Sequence, residues 1–330
     1  MNNVLLVVNT GTPDAPDRKS VSRYLSEFLN DPMVMDMPAI ARKILVNLII
    51  VPFRASHSSD LYRRLWTSEG SPLLINLEKL VAKLRLKSHD WQVIGAMRYG
   101  KPSLEETLRD LGKSTVNKLT ILPLYPQFAQ STTGTVNALV DKMISEWDRK
   151  PEIRFIEEFY SDAGFISAYA NKIRKYDPQN SDHLLFSFHS LPARHIRKIH
   201  PGQEYNNCEC TVSFPEHGMK CYRAQCYETA RRISAALGLE EDRWSVSFQS
   251  RLTRSWTGPF TDSVLCRLAE GRKRVLVAAP SFTADCLETK IEIGQSYRDL
   301  FIKAGGKELQ LCESLNDDNE WVEAIIKMIS

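Results

Sequence analysis

The chain has 330 residues, 43% of them hydrophobic and 25% charged, which is ample for a real core and excludes a disordered or fibrous protein. Forty-three Lys and Arg against forty Asp and Glu leave a net charge of +3, too balanced for a protein that wraps nucleic acid. No run approaches the roughly 18 apolar residues of a membrane span, and MNNVLLVVNTGTPD turns polar too soon, without a basic flank, for a signal peptide. A cytoplasmic protein is expected, with its seven cysteines serving as thiols or metal ligands more than as disulfides.

Short runs rich in Val, Ile and Leu alternate with longer amphipathic stretches, the pattern of βα units around a mostly parallel sheet. Strands are predicted at 3–9, 91–97, 118–125 and 152–160, then at 183–189, 243–250, 274–282 and 307–315. Helices are predicted at 71–87, opened by Ser-Pro, and at 133–147, 162–175, 226–237, 287–303 and 318–329. Four strands per half imply two similar Rossmann-like α/β units, an echo of topology without a residue-level repeat. DPQNSD interrupts the periodicity, so the break between the halves falls near 160–180, dividing the chain into 1–165 and 166–330. The last helix is free to pack back on the first half. Segments 10–60 and 190–225 read as insertions at the C-terminal ends of strands, where open α/β sheets bind ligands.

Within the first insertion, PAIARKILVNLIIVPFR (38–54) sets Ile40, Ile44, Leu45, Leu48 and Ile49 on one face, flanked by Arg42, Lys43 and Arg54. It is either an ordinary packed helix or a partly exposed lip for a flat apolar ligand or a membrane surface.

Three features carry chemistry. His189 ends the apolar run LLFSFH and projects from a strand end, where an imidazole serves as general base, metal ligand or plain structural residue. Asp285, Glu288 and Glu292 follow a strand in SFTADCLETKIEIG. Asp285 with Glu288 matches a capping box, while carboxylates one turn apart at a ligand edge also suit proton or cation transfer, with Glu292 as a relay. Cys208, Cys210, Cys221 and Cys226 fall within nineteen residues as C-x-C-x10-C-x4-C. Four thiolates hold a [2Fe–2S] cluster or a structural zinc, or are unrelated reduced thiols. The missing C-x2-C knuckles lean the reading towards iron–sulfur. Cys266, Cys286 and Cys312 read as packing residues.

Taken in order, these segments resemble the ferrochelatase family, whose members insert ferrous iron into a porphyrin. The resemblance is carried by NTGTPDAP (9–16), SPLL after Tyr62, MRYGKPSLEETL (97–108), LPLYPQFAQSTTGT (122–135), LLFSFHSLP (184–192), SWTGPFTD (255–262) and ADCLET (284–289). It implies a chelatase-like fold with the porphyrin cleft between the halves. His189 and Glu288 would be the metal-site pair on opposite faces of the macrocycle, and Arg98, Tyr99, Tyr125, Ser131 and Trp256 would line or support the pocket. Thr10 joins them at a position that often carries Tyr or Met in the family. Lys290 and Ser296 also depart from the family pattern. Arg42, Arg54 or Arg98 would pair the porphyrin carboxylates.

The resemblance further implies a lyase acting on protoporphyrin IX and Fe²⁺ as a monomer or weak homodimer, with peripheral membrane contact through the lip. Some family members bear a [2Fe–2S] cluster, and the corresponding ligands here would be the four clustered cysteines. A chelatase for coproporphyrin III or another tetrapyrrole is the nearest alternative, and a non-catalytic porphyrin carrier is the alternative of another class.

Overall fold

The computed structural model describes residues 2–198 and 208–330. Residues 199–207, part of the insertion expected at 190–225, lie outside the described residues.

Two four-stranded, fully parallel sheets form the frame. The first is built from β1 (Asn3–Thr12), β2 (Trp91–Gly100), β3 (Lys118–Pro123) and β4 (Glu152–Phe155), in the order β2-β1-β3-β4. The second comprises β5 (His183–His189), β6 (Trp244–Gln249), β7 (Arg274–Ala278) and β8 (Glu308–Leu311), in the matching order β6-β5-β7-β8. Val4 to Val8 are all at most 1% exposed, as expected for a central parallel strand covered on both faces.

β4 stops at Phe155 although the apolar run continues to Tyr160. Phe159 has left the sheet and packs its ring 5.4 Å from that of Trp321. β7 likewise ends at Ala278, before Pro280.

The expected helices appear as α4 (Pro72–Lys87), α6 (Thr135–Ser145), α7 (Ala163–Arg174), α9 (Tyr222–Leu237) and α12 (Asn319–Ile329). Others lie where no helix is predicted from periodicity alone. These include α1 (Arg18–Leu29), whose first turn is capped by Asp17 through Lys19 N and Ser20 N, α5 (Leu104–Leu111) and α10 (Thr261–Gly271).

The 38–54 segment is α2 (Ala39–Ile44), a π-helical stretch at Leu45–Ile50 and the start of α3 (Val51–Leu65). The 287–303 helix is π-helical from Glu288 to Tyr297 before α11 (Arg298–Lys303). A short α8 (Ala193–Arg197) follows β5.

One apolar core runs across both halves. Trp321 of α12 is fully buried among Phe159 and Phe165. Lys83 of α4 meets Asp317, just before α12, at 2.7 Å. Truncating Trp321 would leave a cavity costing about 3–5 kcal/mol. The sheets therefore present their C-terminal edges to one shared space.

Candidate active site

That space is a cavity of about 580 Å³, bounded by the ends of β1 and β5, the segments following β3 and β7, and the lip. Its floor brings β1 and β2 very close. Gly11 adopts φ +122°, and a Cβ there would sit 1.7 Å from the Tyr99 carbonyl oxygen, so only glycine fits.

His189 is the last residue of β5 and lines the cavity. Its Nδ1 lies 2.6 Å from the Ser190 carbonyl oxygen, which can only accept, so Nδ1 carries the proton. In the neutral ring Nε2 is then left with its lone pair, competent to take a proton or ligate a metal. The ring is flanked by Trp256 at 6.5 Å and Phe282 at 6.2 Å, centroid to centroid. Trp256 is pinned in turn, because Thr257 N and Thr257 Oγ1 both donate to the Leu191 carbonyl.

Glu288 opens the long π-helix and also lines the cavity. The expected Asp285–Glu288 capping box does not form. The Asp285 carboxylate is occupied by Ser314 N at 3.2 Å, Asn316 Nδ2 at 3.0 Å and Thr289 Oγ1 at 3.2 Å. Thr289 Oγ1 instead caps the Cys286 N–H. Glu288 therefore takes no part in the cap. Cys286, expected as simple packing, lines the cavity beside it; burial first, and then the Glu288 carboxylate, push its thiol well above the ordinary value.

Glu292 does not line the cavity. Its carboxylate accepts from Ser250 N at 2.9 Å, from Ser250 Oγ and from Tyr297 Oη at 2.7 Å. Gln249 Nε2 reaches it at 3.4 Å and the Glu288 carbonyl at 3.2 Å, fastening the end of β6 to the π-helix. Ser250, at φ 62°, is held in a strained conformation by this network at the cavity wall.

Tyr125, Ser131, Trp256 and Thr10 line the cavity. The Thr10 hydroxyl donates to the Tyr125 oxygen at 2.9 Å, and burial pushes the Tyr125 phenol up to about 12. Arg98 and Tyr99 sit behind the wall, where both bond Asp31, at 2.5 Å and 3.0 Å. Of the three arginines expected for carboxylate pairing, Arg98 is thus committed to Asp31. Arg42 is buried with its Nη1 on the carbonyls of Met35 and Met37. Arg54 lines the cavity and has no ion pair among the described residues.

The lip is exposed. Ile40 is 78%, Leu48 70% and Phe53 80% open to solvent, while Val46 and Val51 face inward. The packed-helix alternative therefore does not hold.

The four clustered cysteines are all buried and free of disulfides, gathered around the start of α9. Burial pushes the Cys210 thiol up to about 12, and neighbouring thiols add to the shifts of Cys210, Cys221 and Cys226. Among the described residues no group of three or more His, Cys, Asp or Glu is arranged to hold a metal ion. That helix is a strut. Tyr222 Oη donates to the His189 carbonyl, Gln225 Oε1 accepts from Phe128 N, and Thr229 Oγ1 accepts from Gln127 Nε2.

An apolar slot with an imidazole acceptor at one strand end and a carboxylate on a neighbouring helix suits a flat ligand that must exchange protons for a cation, the work of a tetrapyrrole chelatase. Residues 2–330 match the family model described as Ferrochelatase. The chain is 41% identical over 333 residues to the ferrochelatase of Pseudomonas putida (strain W619), covering 99% of this chain and 98% of that one. It is 42% identical over 330 residues to the ferrochelatase of Pseudomonas aeruginosa (strain LESB58), covering 99% and 97%. The chain belongs to the ferrochelatase family. Among solved structures it aligns with CbiX, the terminal enzyme of sirohaem biosynthesis in denitrifying bacteria, at 15% identity and a TM-score of 0.49, over 99% of this chain and 100% of that one.

Proposed function

We propose that this protein inserts Fe²⁺ into protoporphyrin IX to form protohaem. One observation carries the reading: His189, with its proton fixed on Nδ1, and Glu288, freed from capping, open into the same apolar cavity. Two pyrrole N–H protons must leave as the metal enters. His189 Nε2 takes them one at a time, passing the first to solvent before accepting the second, and the Glu288 carboxylate holds the incoming cation. Tyr125, Ser131, Trp256 and Thr10 bound the macrocycle, with Arg98 and Tyr99 stiffening the wall through Asp31. Arg54 is the lip's remaining partner for a porphyrin carboxylate. Glu292 acts as the anchor of the π-helix.

The lip supports a peripheral role in the cytoplasm. Its exposed Ile40, Ile44, Leu48, Ile49 and Phe53 form a continuous apolar edge beside the cavity mouth, suited to collecting an apolar porphyrin from a membrane surface. No helix among the described residues is long and apolar enough to cross a membrane.

The cysteine segment fits a [2Fe–2S] cluster in its donor set. Four buried thiols without a disulfide gather there, and as thiolates they would need more positive charge than Arg223 supplies, which a cluster provides. Cys208, Cys210, Cys221 and Cys226 would be the ligands. Such a cluster would brace the start of α9; metal insertion into porphyrin changes no oxidation state, so no step of the reaction passes through it.

Anaerobic incubation of the purified protein with Fe²⁺ and either protoporphyrin IX or coproporphyrin III tests the reaction. Haem from protoporphyrin IX is expected; turnover only on coproporphyrin III would move the assignment to the sister chelatase, and tight binding without insertion to a carrier. Iron and acid-labile sulfide in the sample as isolated, lost together with thermal stability in Cys210→Ser, are expected for the cluster. Their absence from the unaltered protein would refute it.

A further inference from the structure

Six residues beyond His189, a second histidine lines the cavity from α8. The Nε2 atom of His195 is shut off from solvent and has no hydrogen-bond partner among the described residues. A buried polar atom left unpaired forfeits its solvation, a penalty that an occupant of the cavity can remove.

The surroundings specify what that occupant presents. Arg194, the preceding residue, is exposed, lines the cavity and has no ion pair among the described residues. Lys198, at the end of α8, meets Asp36 of the opposite half at 2.8 Å, and Asp36 too lines the cavity. Burial, and then the charges of Arg194 and Lys198, hold the His195 imidazole below its ordinary value, and Asp36 opposes them. The ring is therefore neutral at neutral pH and, with its proton on Nε2, donates one hydrogen bond. Among the described residues two cations face one carboxylate, which leaves the cluster short of one negative charge. Asp36 itself reports the character of the site: its hydrogen bond to Lys198, and then the charges of Lys198, Arg194 and His195, lower its carboxyl below the usual range. The cluster already favours one carboxylate and has room in its charge balance for a second.

We propose that His195 Nε2 and the Arg194 guanidinium together seat a peripheral carboxylate of the tetrapyrrole, on the opposite half of the molecule from Arg54. The proposal rests on the porphyrin reading above and deepens it. Seated this way, the macrocycle is held at its rim by α8 and the lip while His189 addresses its centre. His195 determines affinity and orientation and has no part in proton transfer.

The test compares protoporphyrin IX with its dimethyl ester, in one detergent, by fluorescence titration of the full chain. His195→Leu should weaken binding of the free acid about ten-fold and that of the ester less than about two-fold. His195→Gln, whose amide nitrogen reaches the Nε2 position, should recover most of the loss. KM for the free acid should rise with Kd while kcat stays within about two-fold. Equal weakening of acid and ester would mean that the ring only packs, and unchanged binding of both would remove the seat; either result overturns the proposal. If His195→Leu does not fold, Arg194→Gln, at an exposed position, puts the same acid-against-ester question. Failure of the unaltered protein to bind either porphyrin would instead overturn the porphyrin reading, and the seat with it.

Discussion

The Tyr222 hydroxyl donates a 2.7 Å hydrogen bond to the main-chain carbonyl of His189, tying the first residue of α9 to the last residue of β5. Cys221 immediately precedes that tyrosine, so the cysteine segment and His189 are separated by a single side chain. What is remote in sequence is adjacent in the fold.

Tyr222→Phe keeps the ring and removes this bond. A neutral hydrogen bond contributes about 1 kcal/mol, so iron insertion should slow about five-fold, with porphyrin affinity unchanged. Steady-state kinetics beside a fluorescence titration checks both. A change in affinity alone would show that the tyrosine contacts porphyrin without positioning His189.

Glu292→Gln distinguishes an anchor from a relay. Ser250, Gln249 and Tyr297 all converge on this carboxylate, and losing its charge should lower the unfolding free energy by about 1.5–3 kcal/mol in denaturant titrations. Porphyrin affinity should hold, because Glu292 does not line the cavity. A slowed insertion rate at unchanged stability would return Glu292 to proton or metal transfer.

His183 makes stability depend on pH. Burial, helped by the Arg272 charge, lowers its pKa from 6.5 to about 4, and its Nε2 lies 2.8 Å from Ser245 Oγ. The folded state keeps the ring neutral where the unfolded chain protonates it. Stability is therefore fully present above pH 6.5 and falls as the pH drops towards 4, by about 3 kcal/mol from this group. Denaturant midpoints across that window should decline in the unaltered protein and flatten in His183→Gln. Parallel curves would show that other groups set the acid sensitivity.

The strands were the most legible part of the fold, since β-branched runs buried on both faces leave little choice; β5 spans 183–189 as read from the sequence. The reading of 152–160 overran because alternation continues past Phe155 while the chain turns away to bury Phe159 against Trp321, a contact some 160 residues distant. α1 and α3 escaped notice because their polar residues blur the apolar stripe. The π-helical register at Glu288 was invisible to a 3.6-residue template, yet that register and Thr289 decide that Glu288 faces the cavity while Glu292 is tied to Ser250. The four thiols could be read from spacing. His195 and Arg194 could not, because their significance comes from Asp36 across the cleft and from one buried nitrogen without a partner.

The most direct measurement is anaerobic insertion of Fe²⁺ into protoporphyrin IX by the unaltered protein and by His189→Ala, each with its porphyrin affinity measured in parallel. The account predicts haem formation that falls by about 10²–10⁴-fold in the variant while porphyrin binding stays within about two-fold. Insertion that survives in His189→Ala, or porphyrin binding lost with the imidazole, would contradict the assignment of His189 as proton acceptor.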